Sequence, residues 1–210
     1  MRKLLTVGLI WLLGGLAMAQ AQTQESQYRA GVHYVKLPAV APTQEPDKIE
    51  VAELFWYGCG HCFSFEPIVS EWKKTLPEDV NFRPVPAFFG GTWDTHGQLF
   101  YTLESMNQLD EAHAAVFQAI HNQGNRLANP DAMVKLLSQY GIDEDEFRKT
   151  WSSAGVSLKM NQAKRLAKAY RASGVPTLIV NGKYRIEGGM AGSFEEMLKI
   201  AEYLVDQERS

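Results

Sequence analysis

The stretch Lys48-Ile-Glu-Val-Ala-Glu-Leu-Phe-Trp-Tyr57, followed at once by Gly58-Cys59-Gly60-His61-Cys62-Phe63-Ser64-Phe65-Glu66, decides the fold. Its first part is rich in β-branched and aromatic residues and reads as a buried central strand. Gly58 breaks that strand. From Phe63 to Leu76 the apolar spacing turns helical, and Val80 to Val85 reads as a second strand. Strand, helix, strand at this spacing is a βαβ unit, whose strands run parallel with a right-handed crossover.

Downstream of that unit the chain reads as helices. Trp93 to Met106, Asp110 to Gln123, Asp131 to Tyr140, Asp143 to Trp151 and Val156 to Arg171 all space their apolar residues helically. Gly124-Asn125, Asn129-Pro130 and Gly141 separate them, with Asn129 as an N-cap and Pro130 at the first helical position. β-character returns at Pro176 to Val180. Asn181-Gly182 is a two-residue hairpin signal, because both residues tolerate positive φ, and Lys183 to Glu187 is the returning strand, ended by Gly188-Gly189. Ser193 with Glu196 makes a capping box for a last helix. Setting aside residues 87–172 leaves βαβ followed by ββα. The expected fold is therefore α/β and thioredoxin-like (βαβ–ββα), formed by 22–86 and 173–210, with an inserted all-helical domain at 87–172.

Upstream, Val32 to Leu37 could form an edge strand. Residues 1–21 read as a signal peptide: Arg2 and Lys3 precede an apolar run from Leu4 to Leu16, too short to span a bilayer comfortably. Cleavage is expected after Ala21, with Ala19 the close alternative. The remaining chain would carry 19 basic against 24 acidic residues, so there is no basic excess to suit nucleic acid. Its expected destination is extracytoplasmic and oxidising.

The chain has only two cysteines, Cys59 and Cys62. That excludes a disulfide-stapled scaffold and any four-cysteine zinc site. A structural disulfide over this spacing would close a tiny loop and remove little unfolded-state entropy. A metal site would need further ligands at a spacing that the five histidines do not provide. The reading that the spacing favours over these two is redox. At a helix N-terminus, Cys59 faces unpaired N–H groups and the positive dipole end, which favour its thiolate, and a protonated His61 would add to this. Cys59 is then the attacked sulfur and Cys62, one turn in, the buried resolving thiol. Stabilising the thiolate stabilises the dithiol, so the disulfide form becomes a stronger oxidant.

These residues, from Glu53 through the CxxC to Glu66, together with Gly174-Val-Pro-Thr177 and the leader, resemble the DsbA family of periplasmic thiol:disulfide oxidases of Gram-negative bacteria. The resemblance extends over the whole chain beyond the leader. It implies that Cys59 is the nucleophile and Cys62 its resolving partner. It implies that His61 stabilises the thiolate and that Glu53 assists proton transfer near Cys62. Val175 and Pro176 become the substrate-binding segment, with Pro176 a cis-proline facing the disulfide and Val175 helping to set redox preference. Glu66 matches another acid of the family, although a solvated helix face explains it as well, and Pro67 reads as a structural helix kink.

The implied function is donation of the Cys59–Cys62 disulfide to newly exported proteins. The implied partners are reduced, unfolded secreted proteins and a DsbB-like, quinone-linked membrane reoxidase. No organic cofactor, metal or nucleic acid is implied, and the expected state is a monomer in the periplasm. One departure stands out: the best-known members carry Pro-His between the cysteines, and this chain carries Gly60-His61. Two rivals remain. One is an isomerase or reductase on the same fold; the other is a metal-binding or chaperone module using the same pair. His33, His96, His113 and His121 read as surface or internally satisfied histidines. Phe88, Phe89 and Trp93 read as core or cleft lining, with an apolar docking rim as a further use.

Overall fold

The computed structural model describes residues 27–210; the leader and its cleavage site lie outside them. The elements, in order, are β1 (Val35–Lys36), β2 (Ile49–Phe55), α1 (Gly60–Lys73), β3 (Val80–Pro86), α2 (Thr92–Ser105), α3 (Leu109–His121), α4 (Pro130–Leu137) with a 3₁₀ turn at Ser138–Tyr140, α5 (Glu144–Trp151), α6 (Ala154–Tyr170), β4 (Thr177–Val180), β5 (Tyr184–Glu187), α7 (Gly188–Ala191) and α8 (Phe194–Arg209). The strands form one mixed sheet in the order β1-β5-β4-β2-β3. Only β2 and β3 run parallel, with Val51 opposite Phe82; β4 lies antiparallel to β2 on the other side, with Val51 opposite Val180. This is a thioredoxin-like sheet, and helices α2 to α6 intervene between β3 and β4.

β2 is an interior strand, flanked by β4 and β3, and almost every residue in it is buried. From Val51 to Leu54 its side chains alternate between the two faces of the sheet, and Phe55 at the strand end joins the core of Ala52 and Leu54. Val51 packs with Phe65 and Val69 of α1, Val180 of β4, and Met197 and Ile200 of α8. Ala52 and Leu54 point the other way, into a core shared with Leu99 and Phe100 of α2, Phe117 of α3 and Leu166 of α6. By the same alternation Glu53 falls on the face that α1 covers.

The element boundaries differ from the expectations in ways that have local causes. β1 shrinks to two residues, because only Val35 and Lys36 find partners, on β5. The helix expected from Val156 starts at Ala154, because the Ser153 hydroxyl accepts from the Val156 N–H at 3.2 Å. The Gly188-Gly189 pair stops β5 at Glu187 as expected, and it also opens the short helical turn α7. Pro67 sits inside α1, where it removes one helical donor.

The hairpin at Asn181-Gly182 forms with φ of 48° and 63°, the left-handed pair that a tight antiparallel turn demands. Gly182 has a second constraint: a Cβ there would overlap the Ala41 carbonyl, and the Gly182 carbonyl accepts from the Ala41 N–H at 2.8 Å. We expect Gly182→Ala to destabilise the protein by at least about 1–2 kcal/mol, from the left-handed backbone alone. Urea unfolding measures this, and an unchanged midpoint would show that the turn relaxes freely.

Candidate active site

Cys59 is the last extended residue before α1 (φ −87°, ψ 118°) and is its N-cap. A tight turn delivers it there: the Cys59 N–H donates to the Trp56 carbonyl at 2.9 Å, directly after β2 ends. Gly58 is required in that turn, because a Cβ would overlap the Trp56 ring. As N-cap, the Cys59 sulfur does what an oxygen does at most helix starts: it accepts from the Cys62 N–H, at 3.3 Å. The first turn of α1 holds no acid to offset the positive helix end.

The two sulfurs differ sharply. Both are free thiols, Cys59 partly exposed and Cys62 buried. Hydrogen bonding from the Cys62 thiol, together with the Cys62 and His61 N–H groups and the His61 charge, outweighs desolvation and lowers the Cys59 pKa to about 6. Burial pushes Cys62 far the other way, helped by its bond to Cys59 and by the charges of Glu53 and Cys59. At neutral pH the pair is therefore a Cys59 thiolate beside a Cys62 thiol. When protonated, Cys59 donates to the Val175 carbonyl at 3.5 Å.

Glu53 is buried, at 4% exposure. Burial first, then repulsion from Glu66 and Cys59, holds its carboxyl protonated well above the usual carboxylate range. Glu66 behaves oppositely. Burial raises it, but its bonds to His113 and Ser70 and the charge of Lys73 bring it below its ordinary value. The two acids border one cavity of about 660 Å³, which Lys73 and His113 also line. Glu53 thus lies between the redox pair, whose charges act on it, and this cleft.

On the open side, the Val175–Pro176 peptide bond is cis. The Thr177 hydroxyl donates to the Gly174 carbonyl at 2.8 Å and ties that loop to β4. Val175, Pro176 and exposed His61 line a groove of about 550 Å³ that continues to Gly189 and Phe194. Trp93 stacks on Trp56 at 3.9 Å, and Phe89, 61% exposed, meets Trp93 edge-on. Cys59, Cys62, His61, Glu53, Val175 and Pro176 therefore all lie at one end of the sheet.

His113 and His121, expected to be surface or internally satisfied histidines, are satisfied internally, but by the neighbourhood of the redox pair: both bond to Tyr57, and His113 also reaches Glu66 at 3.4 Å. A helical repeat of eight residues from His113 to His121 puts both on one face of α3, but nothing local in the sequence says that this face meets Tyr57. Among the described residues no group of three or more His, Cys, Asp or Glu is placed to hold a metal ion, and no helix is long and apolar enough to cross a membrane.

A cysteine pair capping a helix, its outer sulfur ionised and its inner one buried, on a thioredoxin-like sheet, defines a thiol:disulfide oxidoreductase. Comparison with known proteins narrows the class. Residues 50–199 match the family model of the DSBA-like thioredoxin domain. The chain is 49% identical to the thiol:disulfide interchange protein DsbA of Azotobacter vinelandii, over all of this chain and 99% of that protein. It is 46% identical to the protein of the same name from Pseudomonas aeruginosa, over all of this chain and 98% of that one. The crystal structure of Pseudomonas aeruginosa DsbA superposes with a TM-score of 0.83 at 50% identity, covering 87% of this chain and 95% of that one. The oxidoreductase DsbA from Xylella fastidiosa gives 0.82 at 34% identity, covering 87% and 98%. The chain belongs to the DsbA-like thioredoxin family.

The ionisation of Cys59 has a consequence for stability. Its folded pKa, about 6 against an ordinary 9, means that the unfolded dithiol binds more protons between those values. Stability of the dithiol form therefore rises with pH across that window and is lost as pH falls through 6. Allowing for screening at a half-buried site, the gain at pH 7 is about 1 kcal/mol. The disulfide form lacks this group. The unfolding free energy of the dithiol form minus that of the disulfide form should rise from pH 6 to 9; a flat difference would contradict the assignment. Cys62→Ala, which removes the largest stabiliser, should move the thiolate absorbance midpoint of Cys59 upward.

Proposed function

We propose that this chain is a periplasmic thiol:disulfide oxidase that donates the Cys59–Cys62 disulfide to newly exported proteins. The observation that carries the reading is the capping of α1 by the Cys59 sulfur. The cap stabilises the dithiol product, and thereby makes the disulfide reactant oxidising.

In the first step a substrate thiolate attacks Cys59 Sγ. The Cys59–Cys62 bond breaks and a bond from Cys59 to the substrate forms. The electron pair leaves on Cys62, whose buried site disfavours a thiolate, and Glu53, held protonated beside it, supplies the proton. In the second step another substrate thiolate attacks the substrate sulfur of the mixed disulfide. Cys59 departs as a thiolate, a good leaving group because its pKa is low. The substrate loses two electrons and the cysteine pair gains them.

Substrate chain docks extended beside Val175 and Pro176, in the groove next to His61. The units 22–86 and 173–210 carry the chemistry, and 87–172 is the helical insertion that covers the far face of the sheet. A DsbB-like, quinone-linked membrane partner reoxidises the pair. The protein works as a monomer, after its leader is removed behind Ala21 or Ala19. The disulfide itself is the electron carrier.

Cys59→Ser should abolish oxidation of a reduced test protein; turnover retained by that variant would exclude Cys59 as the nucleophile. Cys62→Ser should accumulate mixed disulfides with exported proteins, detected as adducts that reductant releases. An absence of adducts would remove Cys62 from the resolving role. The equilibrium with glutathione separates the oxidase from a reductase: a pair that stays oxidised in mildly reducing buffer would be a reductase instead.

A further inference from the structure

Two contacts near the redox pair take no part in the steps above. Both come from α3, in the helical insertion, and both end on Tyr57, two residues before Cys59. The Tyr57 hydroxyl hydrogen-bonds His113 Nδ1 at 2.7 Å, and it is the donor when the neutral ring carries its proton on Nε2. His121 Nε2–H donates to the Tyr57 carbonyl at 2.8 Å. A carbonyl only accepts, so His121 carries its proton on Nε2. With Nδ1 of His113 accepting, its Nε2–H is free to donate to Glu66, 3.4 Å away, and the Ser70 hydroxyl holds the same carboxylate from the other side at 2.7 Å.

The contacts are backed by packing. The His121 ring lies flat on Phe63, the residue after Cys62, with centroids 4.7 Å apart and planes 10° from parallel. Tyr57 is buried and meets Phe55 and Phe117 edge-on at 5.2 and 4.9 Å. One helix therefore grips the segment 57–66 at its start (Tyr57), just past the CxxC (Phe63) and at its end (Glu66), with Cys59 and Cys62 between. The Tyr57 carbonyl belongs to the turn that the Cys59 N–H closes on Trp56. Rotation of that peptide would swing the Cys59 sulfur away from the first turn of α1.

We propose that α3 splints the redox turn, with His113 and His121 as positioning residues that keep Cys59 Sγ facing the Cys62 N–H. The helical insertion then helps to set the oxidising strength of a pair to which it contributes no reacting atom. This inference rests on the oxidase reading given above.

The test uses the full-length exported protein and three measurements: the equilibrium constant with glutathione, the thiolate absorbance titration and the melting temperature. His121→Leu should shift the glutathione equilibrium about threefold to tenfold toward the disulfide form, the size of one lost hydrogen bond, and His113→Leu, which also loses the bond to Glu66, at least as far; both should raise the thiolate midpoint. His121→Gln, whose amide can still donate to the Tyr57 carbonyl, should stay within about twofold of the unmodified protein. A lower melting temperature with unchanged equilibrium and midpoint would reduce both histidines to ordinary packing and overturn the proposal. A shift in His121→Gln as large as in His121→Leu would overturn it too. Should the leucine variants fail to fold, Tyr57→Phe deletes only the hydroxyl that His113 accepts from, and should shift the equilibrium in the same direction by a smaller factor; no shift overturns the proposal. If the unmodified pair shows no reversible equilibrium with glutathione, the oxidase reading itself fails. If it does and every variant matches it, only the splint falls.

Discussion

The structure depends on one hydrogen-bonding debt. The opening N–H groups of α1 have no helical partners, and the side chain that meets them is a sulfur rather than a hydroxyl or carboxylate. A serine or aspartate at this cap would stabilise the helix equally well. A cysteine makes the cap redox-dependent: as a thiolate it accepts from the Cys62 N–H at 3.3 Å, and as a disulfide sulfur it is a poor acceptor. Helix capping, ordinarily a matter of stability, here becomes the difference in free energy between two oxidation states. The strand β2 and the turn at Trp56–Cys59 place the sulfur where this can happen.

Burial then separates the roles of two identical side chains. Three residues of helix carry the chain from a partly exposed cysteine to one with 1% exposure. Cys62 cannot hold a charge there, so the bond can open only if a proton arrives with the electrons. In the proposed mechanism Glu53 would meet that need, since the same buried environment keeps its carboxyl protonated. Glu66, one helical turn from Cys62, supplies the counterweight: its charge, steadied by His113 and Ser70, helps to keep the proton on Glu53. One acid is ionised and the other is not, and their surroundings rather than their identities decide which.

Much of this was legible in the sequence, because it rests on local signals. The βαβ unit, the Asn181-Gly182 hairpin and the Ser193 cap all follow from residues within a few positions of each other, and the structure contains them. The CxxC at a strand-to-helix junction indicated the chemistry together with the Val175-Pro-Thr177 segment and the leader. What the sequence reading could not supply depends on packing between distant segments. His113 and His121 gave no signal, because their partner Tyr57 lies more than fifty residues away and carries no motif. Glu50 was not singled out, yet it is buried, with Arg83 of β3 3.6 Å from its carboxylate and the Gln44 N–H donating to it at 2.8 Å. Gly182 was read for its φ alone; its close approach to Ala41 is a tertiary fact.

The Gly60-His61 dipeptide can now be placed physically. Gly60 is the first residue of α1, where proline is favoured because its missing N–H is not needed and its φ is already helical. A Cβ at Gly60 would meet nothing within 4 Å, so no neighbour in this fold demands glycine there. Its effect therefore falls on the freedom of the chain rather than on a contact. Glycine adds backbone entropy to the unfolded and partly opened states, and this weakens the hold of α1 on its own first turn. A turn loosened from within has more to gain from being held from outside, and helix α3 grips it through Tyr57, Phe63 and Glu66.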